Sequence, residues 1–288
     1  MDYKCVSLLN DDQRKVVASA NFIVGFSGSI LNLFSLYCMW MGRKLQKDNS
    51  SNRLLWSLNL CDTVNCTLFL PYAALFHWFN LRGNCWALSF YTSFNIANVI
   101  YSSSIIIFIS LRRYISVSRF NNKDSILPKQ SVDTINIWIL IVSIISSIIA
   151  LFSIEFVKFV STLFLCLVSI GIPVLYVLLA KAVRKIQTTV SCETSVSRRK
   201  RNNIRVVGNV QLLIAFCFAS YFPLLVVSLA SIVIRNTPEM YFAARIGIIA
   251  MSLNSCSNPV LYVLKNEIHK RVWRRLFRRT RVGDIWIL

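Results

Sequence analysis

Residues 135–152 read INIWILIVSIISSIIALF, a run with no charged side chain. A helix needs about 20 largely apolar residues to cross the roughly 30 Å of hydrocarbon in a bilayer. A run this continuous lacks the polar–apolar alternation of a barrel strand, so its backbone groups are satisfied within a helix. Working outward, apolar runs recur at 16–41, 53–78, 86–111, 157–180, 206–234 and 240–264, and the run quoted first widens to 132–153. The composition agrees: of 288 residues, 55% are hydrophobic and 15% charged, with mean hydropathy +0.56. A soluble chain of this length would carry about a quarter of its residues as charges. The expected fold is an all-α membrane protein, a seven-transmembrane helix bundle over 16–264.

The basic residues orient the bundle. The formal net charge is +20, which in a soluble protein would suggest nucleic acid as partner. Here the charges lie in the short connections, so no nucleic-acid partner is expected. Segments on one side, including Arg43, Arg53, Arg112, Arg113, Lys181 and the stretch from Lys265 to Arg281, hold 25 Lys and Arg. The other side holds 7, among them Arg14, Arg82, Lys158 and Arg245. By the positive-inside rule the C-terminus is cytoplasmic and the N-terminus outside. Residues 1–15 contain Asp2, Lys4, Asp11, Asp12, Arg14 and Lys15, too polar for the core of a cleavable signal, so the first helix is expected to act as its own insertion signal. The run Arg198-Arg199-Lys200-Arg201 reads as a solvated cytoplasmic loop in preference to a dedicated lipid or partner site.

Nine cysteines are present, and Cys38, Cys61, Cys66, Cys166, Cys217 and Cys256 fall within apolar helices as small buried hydrophobes. Cys192 is cytoplasmic. Cys5 and Cys85 alone face an oxidising compartment, so they either form the one structural disulfide or remain two free thiols. The two histidines, His77 and His269, stand one at each surface. There is no His-Glu-x-x-His pattern and no Gly-rich phosphate loop, so the chain is read as a non-enzyme.

Asp62 is the one acid deep within a span. An ionisable group at mid-bilayer costs about 2.5 to 3.5 kcal/mol on insertion scales, which makes Asp62 a functional residue by default. Asn95, Asn98 and Ser102 share a face of the third span by their i, i+3, i+7 spacing. Asn254, Ser255 and Asn258 cluster in the seventh span, and Asn32 lies midway along the first. A carboxylate ringed by amides and hydroxyls suits Na⁺ or a water cluster; the alternative is a structural hydrogen-bond network with no ion. Pro71, Pro173, Pro223 and Pro259 lie within spans, where each removes a backbone hydrogen bond and permits a kink.

These residues resemble the rhodopsin-like (class A) G-protein-coupled receptors, across nearly the whole chain. Asn258-Pro259-Val260-Leu261-Tyr262 matches the family's NPxxY motif. Ser57-Leu58-Asn59-Leu60-Cys61-Asp62 looks like the second-helix pattern that ends in the sodium-binding Asp, and Asn32 matches the first-helix Asn. Cys85 corresponds to the Cys that opens the third helix, Leu111-Arg112-Arg113-Tyr114 to Asp/Glu-Arg-Tyr, and Ser220-Tyr221-Phe222-Pro223 to Cys-Trp-x-Pro. The resemblance implies a plasma-membrane receptor acting on a heterotrimeric G protein. It assigns the switch and coupling roles to Arg113, Tyr114, Pro223, Asn258, Pro259 and Tyr262. It assigns an allosteric sodium site to Asp62, Asn98, Ser102, Asn254 and Ser255. Residues 265–279 look like the family's basic amphipathic eighth helix on the inner leaflet lipids, followed by a tail at 280–288.

The departures bear on mechanism. Arg112 replaces the acid that in the family pairs with the next Arg and holds the resting state, and Asn203 stands near the place of the inner Glu of the sixth helix. Losing these pairs shifts the population toward the active packing, so raised basal activity is expected. Lys181 occupies the place of the fifth-helix Tyr. The second outer loop shrinks to Ser153–Phe156 and cannot carry the family's usual disulfide. These departures motivate the alternative of a non-signalling decoy or partner receptor.

The positions matching the family's ligand site are Tyr72, Tyr91, Asn95, Val99, Tyr221, Leu224 and Ser252. Asn95 stands where amine receptors carry Asp, so a biogenic amine would be left without a counter-ion. Lys158 and Arg245 near the rim can pair with an acid. The expected ligand is a small apolar or acidic molecule; helix packing is the plainer reading of the same aromatic residues.

Overall fold

In the computed structural model the described residues are 9–43, 50–81, 85–118, 129–152, 154–190, 215–231 and 237–265. They are all helical apart from short caps and turns. The helices are α1 (Asp11–Arg43), α2 (Ser50–Val64), α3 (Leu70–Trp78), α4 (Cys85–Ser118), α5 (Lys129–Phe152), α6 (Ile154–Val190), α7 (Ala215–Ser231) and α8 (Pro238–Lys265). A π turn, Asn65–Phe69, joins α2 to α3 without a break, so the described residues make seven helical rods.

Local chemistry sets the rod ends. Asn10 caps α1 through a reciprocal pair: Gln13 N–H donates to Asn10 Oδ1 at 2.8 Å, and Asn10 N–H donates to Gln13 Oε1 at 3.2 Å. This is a capping-box arrangement, and Asp11 and Asp12 add favourable charge in the first turn. It explains why α1 starts ahead of the apolar run expected from Val16. Hydropathy marks where a helix meets hydrocarbon, whereas caps mark where it begins. At the other end of the 50–78 rod, Asn80 takes φ 52, Phe79 N–H donates to Leu75 O and Leu81 N–H to Phe76 O. The 6→1 bond around a left-handed Asn is a Schellman closure. Thr237 opens α8, its hydroxyl accepting from Met240 N–H at 3.3 Å, ahead of Pro238.

The π turn lies just before Pro71. Proline has no N–H and its ring crowds the carbonyl four residues earlier, here Thr67. Leu70 N–H reaches back to Asn65 O, five residues away, and the widened turn accommodates the ring.

Four rods contain stretches long and apolar enough to cross a membrane: Asp11–Met41, Ser89–Arg112, Ser131–Phe152 and Thr162–Ala182. Burial runs opposite to that of a soluble protein. Ile137, Trp138, Ile144, Ile145 and Ile148 project outward from α5. Asn32, Asn59, Asp62 and Asn258 are each 0% exposed. Apolar outside and polar inside fits a helical, membrane-embedded protein.

Two apolar clusters organise the packing. The larger joins Leu54 and Leu58 of α2, Ile105 and Ile106 of α4, Leu165, Val168 and Ile172 of α6 and Tyr221 of α7. The smaller joins Val17 and Val24 of α1, Leu70 of α3 and Ile249 of α8. The connection between α5 and α6, expected at Ser153–Phe156, is shorter still: α5 ends at Phe152 and α6 begins at Ile154, so residues 154–156 are helical. The expected eighth helix at 265–279, the tail at 280–288, Asn203, the cluster Arg198–Arg201 and Cys5 lie outside the described residues, as do the side chains of Cys85, Arg113, Lys158 and Tyr262.

Candidate functional site

A buried carboxylate holds the middle of the bundle. Ser255 and Asn258 are three residues apart on α8 and so share a face. Ser255 Oγ donates to Asp62 Oδ1 at 2.7 Å and Asn258 Nδ2 donates to Asp62 Oδ2 at 2.8 Å. Each carboxylate oxygen therefore has one neutral donor, both from the same helix.

Asn32 closes the arrangement from α1. Its amide donates to Gly28 O in its own helix at 2.8 Å and to Ser255 O at 3.0 Å. Ser255 O is the carbonyl that loses its helical donor to Pro259, which has no N–H. The kink residue and the first-helix amide are thus two halves of one device. Asn59 reaches toward Asn32 O at 3.5 Å. Close approach at Gly28 permits this packing: a Cβ there would lie 2.5 Å from Cys66 Sγ and 2.7 Å from Cys256 Sγ.

Asn98 and Ser102, expected beside Asp62, are engaged with its neighbour. Cys61 Sγ donates to Asn98 Oδ1 at 2.8 Å, and Ser102 Oγ donates to the same oxygen at 3.5 Å. Successive helical residues point about 100° apart, so Cys61 faces α4 while Asp62 faces α8. Asn254 is buried at one turn's distance from Asn258 but makes no hydrogen bond to Asp62 among the described residues; Ser257 Oγ donates to its backbone carbonyl. The amide oxygens of Asn32, Asn59, Asn254 and Asn258 are buried with no donor among the described residues. One carboxylate with surplus amide oxygens is a hard-oxygen donor set, which fits a sodium ion or ordered water.

The seven ligand-site candidates separate into groups. The Tyr72 and Tyr91 rings lie 6.3 Å apart, and Asn95 donates to Tyr91 O at 3.0 Å. Beside them the Arg245 guanidinium sits 6.0 Å from the Tyr91 ring centroid and 4.7 Å from that of Tyr241, whose hydroxyl it also bonds. Tyr221 is buried lower down, with Val99 packed in the same apolar cluster. Leu224 meets α8 where Gly247 leaves room, a Cβ at Gly247 falling 3.1 Å from Leu224 Cα. Ser252 spends its hydroxyl on Ile248 O in its own helix. Tyr72, Tyr91 and Asn95 are therefore brought together; Val99, Tyr221, Leu224 and Ser252 serve packing contacts around them.

The sequence did not reveal the burial of Arg14 and His77 near this end of the bundle. His77, expected at the surface, is 4% exposed, and Arg14 is 9% exposed. The signal available was the position of Arg14 two residues before the apolar run of α1, with His77 at the far end of the 53–78 run.

At the end of the bundle that holds the α2 N-terminus, Arg53 Nη1 lies 2.5 Å from Asp133 Oδ2, tying α2 to α5. Above it Tyr101 donates to Asn136 Oδ1 at 2.9 Å, and Asn136 donates to Ser57 Oγ at 3.1 Å. Tyr114 packs partly buried against the larger cluster, Arg112 is half-buried, and Lys181 is exposed on α6. Pro223 is exposed on α7 and Pro259 buried on α8. No family model matches the chain, and no curated protein matches it.

Proposed function

We propose that the chain is a plasma-membrane receptor of the rhodopsin-like, G-protein-coupled type, with seven spans, an outside N-terminus and a cytoplasmic C-terminus. The observation that carries the reading is the meeting of Asn32, Asp62, Ser255 and Asn258 at one buried site. These residues come from three separate motifs, and a single hydrogen bond among them, Asn32 to Ser255, joins positions 223 apart in sequence. In this reading a small apolar or acidic ligand binds among Tyr72, Tyr91 and Asn95. Binding repacks the Pro259 region of α8 about the Asp62 site, and the inner ends around Arg113 and Tyr114 engage a heterotrimeric G protein. Na⁺ is the proposed allosteric ion, favouring one of the two packings. The residues that would hold it are Asp62, Ser255 and the surplus amide oxygens; the ion would supply the counter-charge the carboxylate otherwise lacks.

A second reading, a non-signalling partner or decoy with the same fold, is favoured by Arg112 standing where the family has an acid and by Lys181 on α6. The test is ligand-independent G-protein activation in cells displaying the protein at the surface, beside Arg113→Ala and cells lacking the protein. A basal signal lost with Arg113→Ala supports the coupled receptor. Good surface display with no signal in any G-protein class favours the partner reading.

A further inference from the structure

We infer that Arg14 of α1 and Arg245 of α8 form an anion site at the end of the bundle that holds the α1 N-terminus, and that it takes the acidic head of an amphiphile. This deepens the receptor reading, which places that end outside and lets an acidic ligand enter there.

Arginine is almost never buried without a partner, yet both of these are 9% exposed. Arg14 uses Nη2 on Asp11 Oδ1 at 2.6 Å, and the Asp11 side chain is itself 75% exposed. Its Nε and Nη1 are buried with no acceptor among the described residues. Arg245 bonds the Tyr241 hydroxyl and stacks over the Tyr241 and Tyr91 rings, and no carboxylate pairs with it among the described residues. Tyr241, to which Arg245 is bonded, packs against the apolar cluster that holds Leu9 and Val17 on either side of Arg14, which brings the two arginines to one end of the seam between α1 and α8.

Among the described residues, two buried cations and one exposed carboxylate leave the cluster one negative charge short. Orphaned guanidinium donors cost free energy until an acceptor arrives. A carboxylate or phosphate oxygen fits them, because the guanidinium fork matches such groups with charge-assisted bonds. The same charges repel an amine. Tyr72, Tyr91 and Tyr241 put aromatic faces beside the cations, a surface for an apolar tail. The acidic head belongs either to a free amphiphile or to an anionic bilayer lipid.

The experiment is thermal unfolding of the full chain purified in neutral detergent, with dodecanoate or the uncharged dodecanol added. Dodecanoate is expected to raise Tm by several degrees more than dodecanol does, as a ligand of the folded state must. Arg14→Gln and Arg245→Gln are each expected to weaken dodecanoate binding about tenfold or more, the usual effect of losing a charged hydrogen bond. Lys15→Gln, on the exposed side of the same turn, should respond as wild type does. Nanodiscs of phosphatidylglycerol against phosphatidylcholine separate the sources: an Arg-dependent rise in phosphatidylglycerol assigns the site to a lipid headgroup, and a rise with dodecanoate alone assigns it to a free acid. Equal shifts with dodecanoate and dodecanol, or a dodecanoate shift unchanged in both Arg variants, overturn the proposal. If one variant fails to fold, the other and the wild-type preference for the acid still decide. None of these readouts involves a G protein, so failure of coupling and failure of anion binding are separable results.

Discussion

Asn32 donates its side-chain amide to the carbonyl of Ser255 at 3.0 Å, the carbonyl that Pro259 leaves without a helical donor. Because Ser255 also donates to Asp62, one residue of α8 is held at its backbone by α1 and at its side chain by α2. Repacking the helix at Pro259 therefore disturbs both contacts together, which gives the bundle a discrete choice of packings at that level.

Replacing Asn32 by Ala leaves that buried carbonyl without its partner. An orphaned buried acceptor costs about 1 to 3 kcal/mol. The expected outcome is a lower Tm for the purified protein in neutral detergent, with Asn32→Asp restoring less than the wild-type value because a carboxylate cannot donate.

Gly28→Ala places a methyl group 2.5 Å from Cys66 Sγ and 2.7 Å from Cys256 Sγ. Overpacking of this kind costs about 1 to 3 kcal/mol. Thermal unfolding should show the loss, and Gly171→Ala, where an added Cβ meets nothing within 4 Å, should show none of that clash.

Asp62 is fully buried and bonded only to neutral donors. If sodium provides its counter-charge, NaCl stabilises the wild type relative to choline chloride at equal ionic strength, by about 2.7 kcal/mol at a hundredfold its dissociation constant. Asp62→Asn keeps the shape and removes the charge, so its Tm should be indifferent to the exchange of cations. A sodium effect of equal size in both proteins would place the ion elsewhere.

Arg112 stands beside Arg113 where an acid would oppose it. Arg112→Asp restores an adjacent counter-charge, favours the resting packing and should lower basal signalling at equal surface expression. An unchanged basal signal would remove the charge-pair explanation.

The inner polar site was legible because its residues sit at helical spacing in spans that hydropathy finds easily: Ser255 and Asn258 share a face, and Asp62 is conspicuous as a lone acid. Asn98 and Ser102 were placed one residue off in effect, since the neighbouring Cys61 occupies the face that looks at α4 and intercepts them. The π turn at Asn65–Phe69 follows from Pro71, but a sequence pattern does not show how a helix will accommodate a proline. Arg14 and His77 sit near the ends of their apolar runs, where charge is ordinarily solvated. Their burial depends on how α1, α3 and α8 pack against one another, a tertiary fact that periodicity within each helix does not contain.

The most direct measurement is guanine-nucleotide exchange on purified G proteins by the protein in nanodiscs, in sodium and in choline, for wild type and Asp62→Asn. The account predicts exchange faster than in empty nanodiscs, with a rate that changes between sodium and choline for the wild type only. No acceleration with any G-protein class, or the same cation dependence without the Asp62 carboxylate, would contradict it.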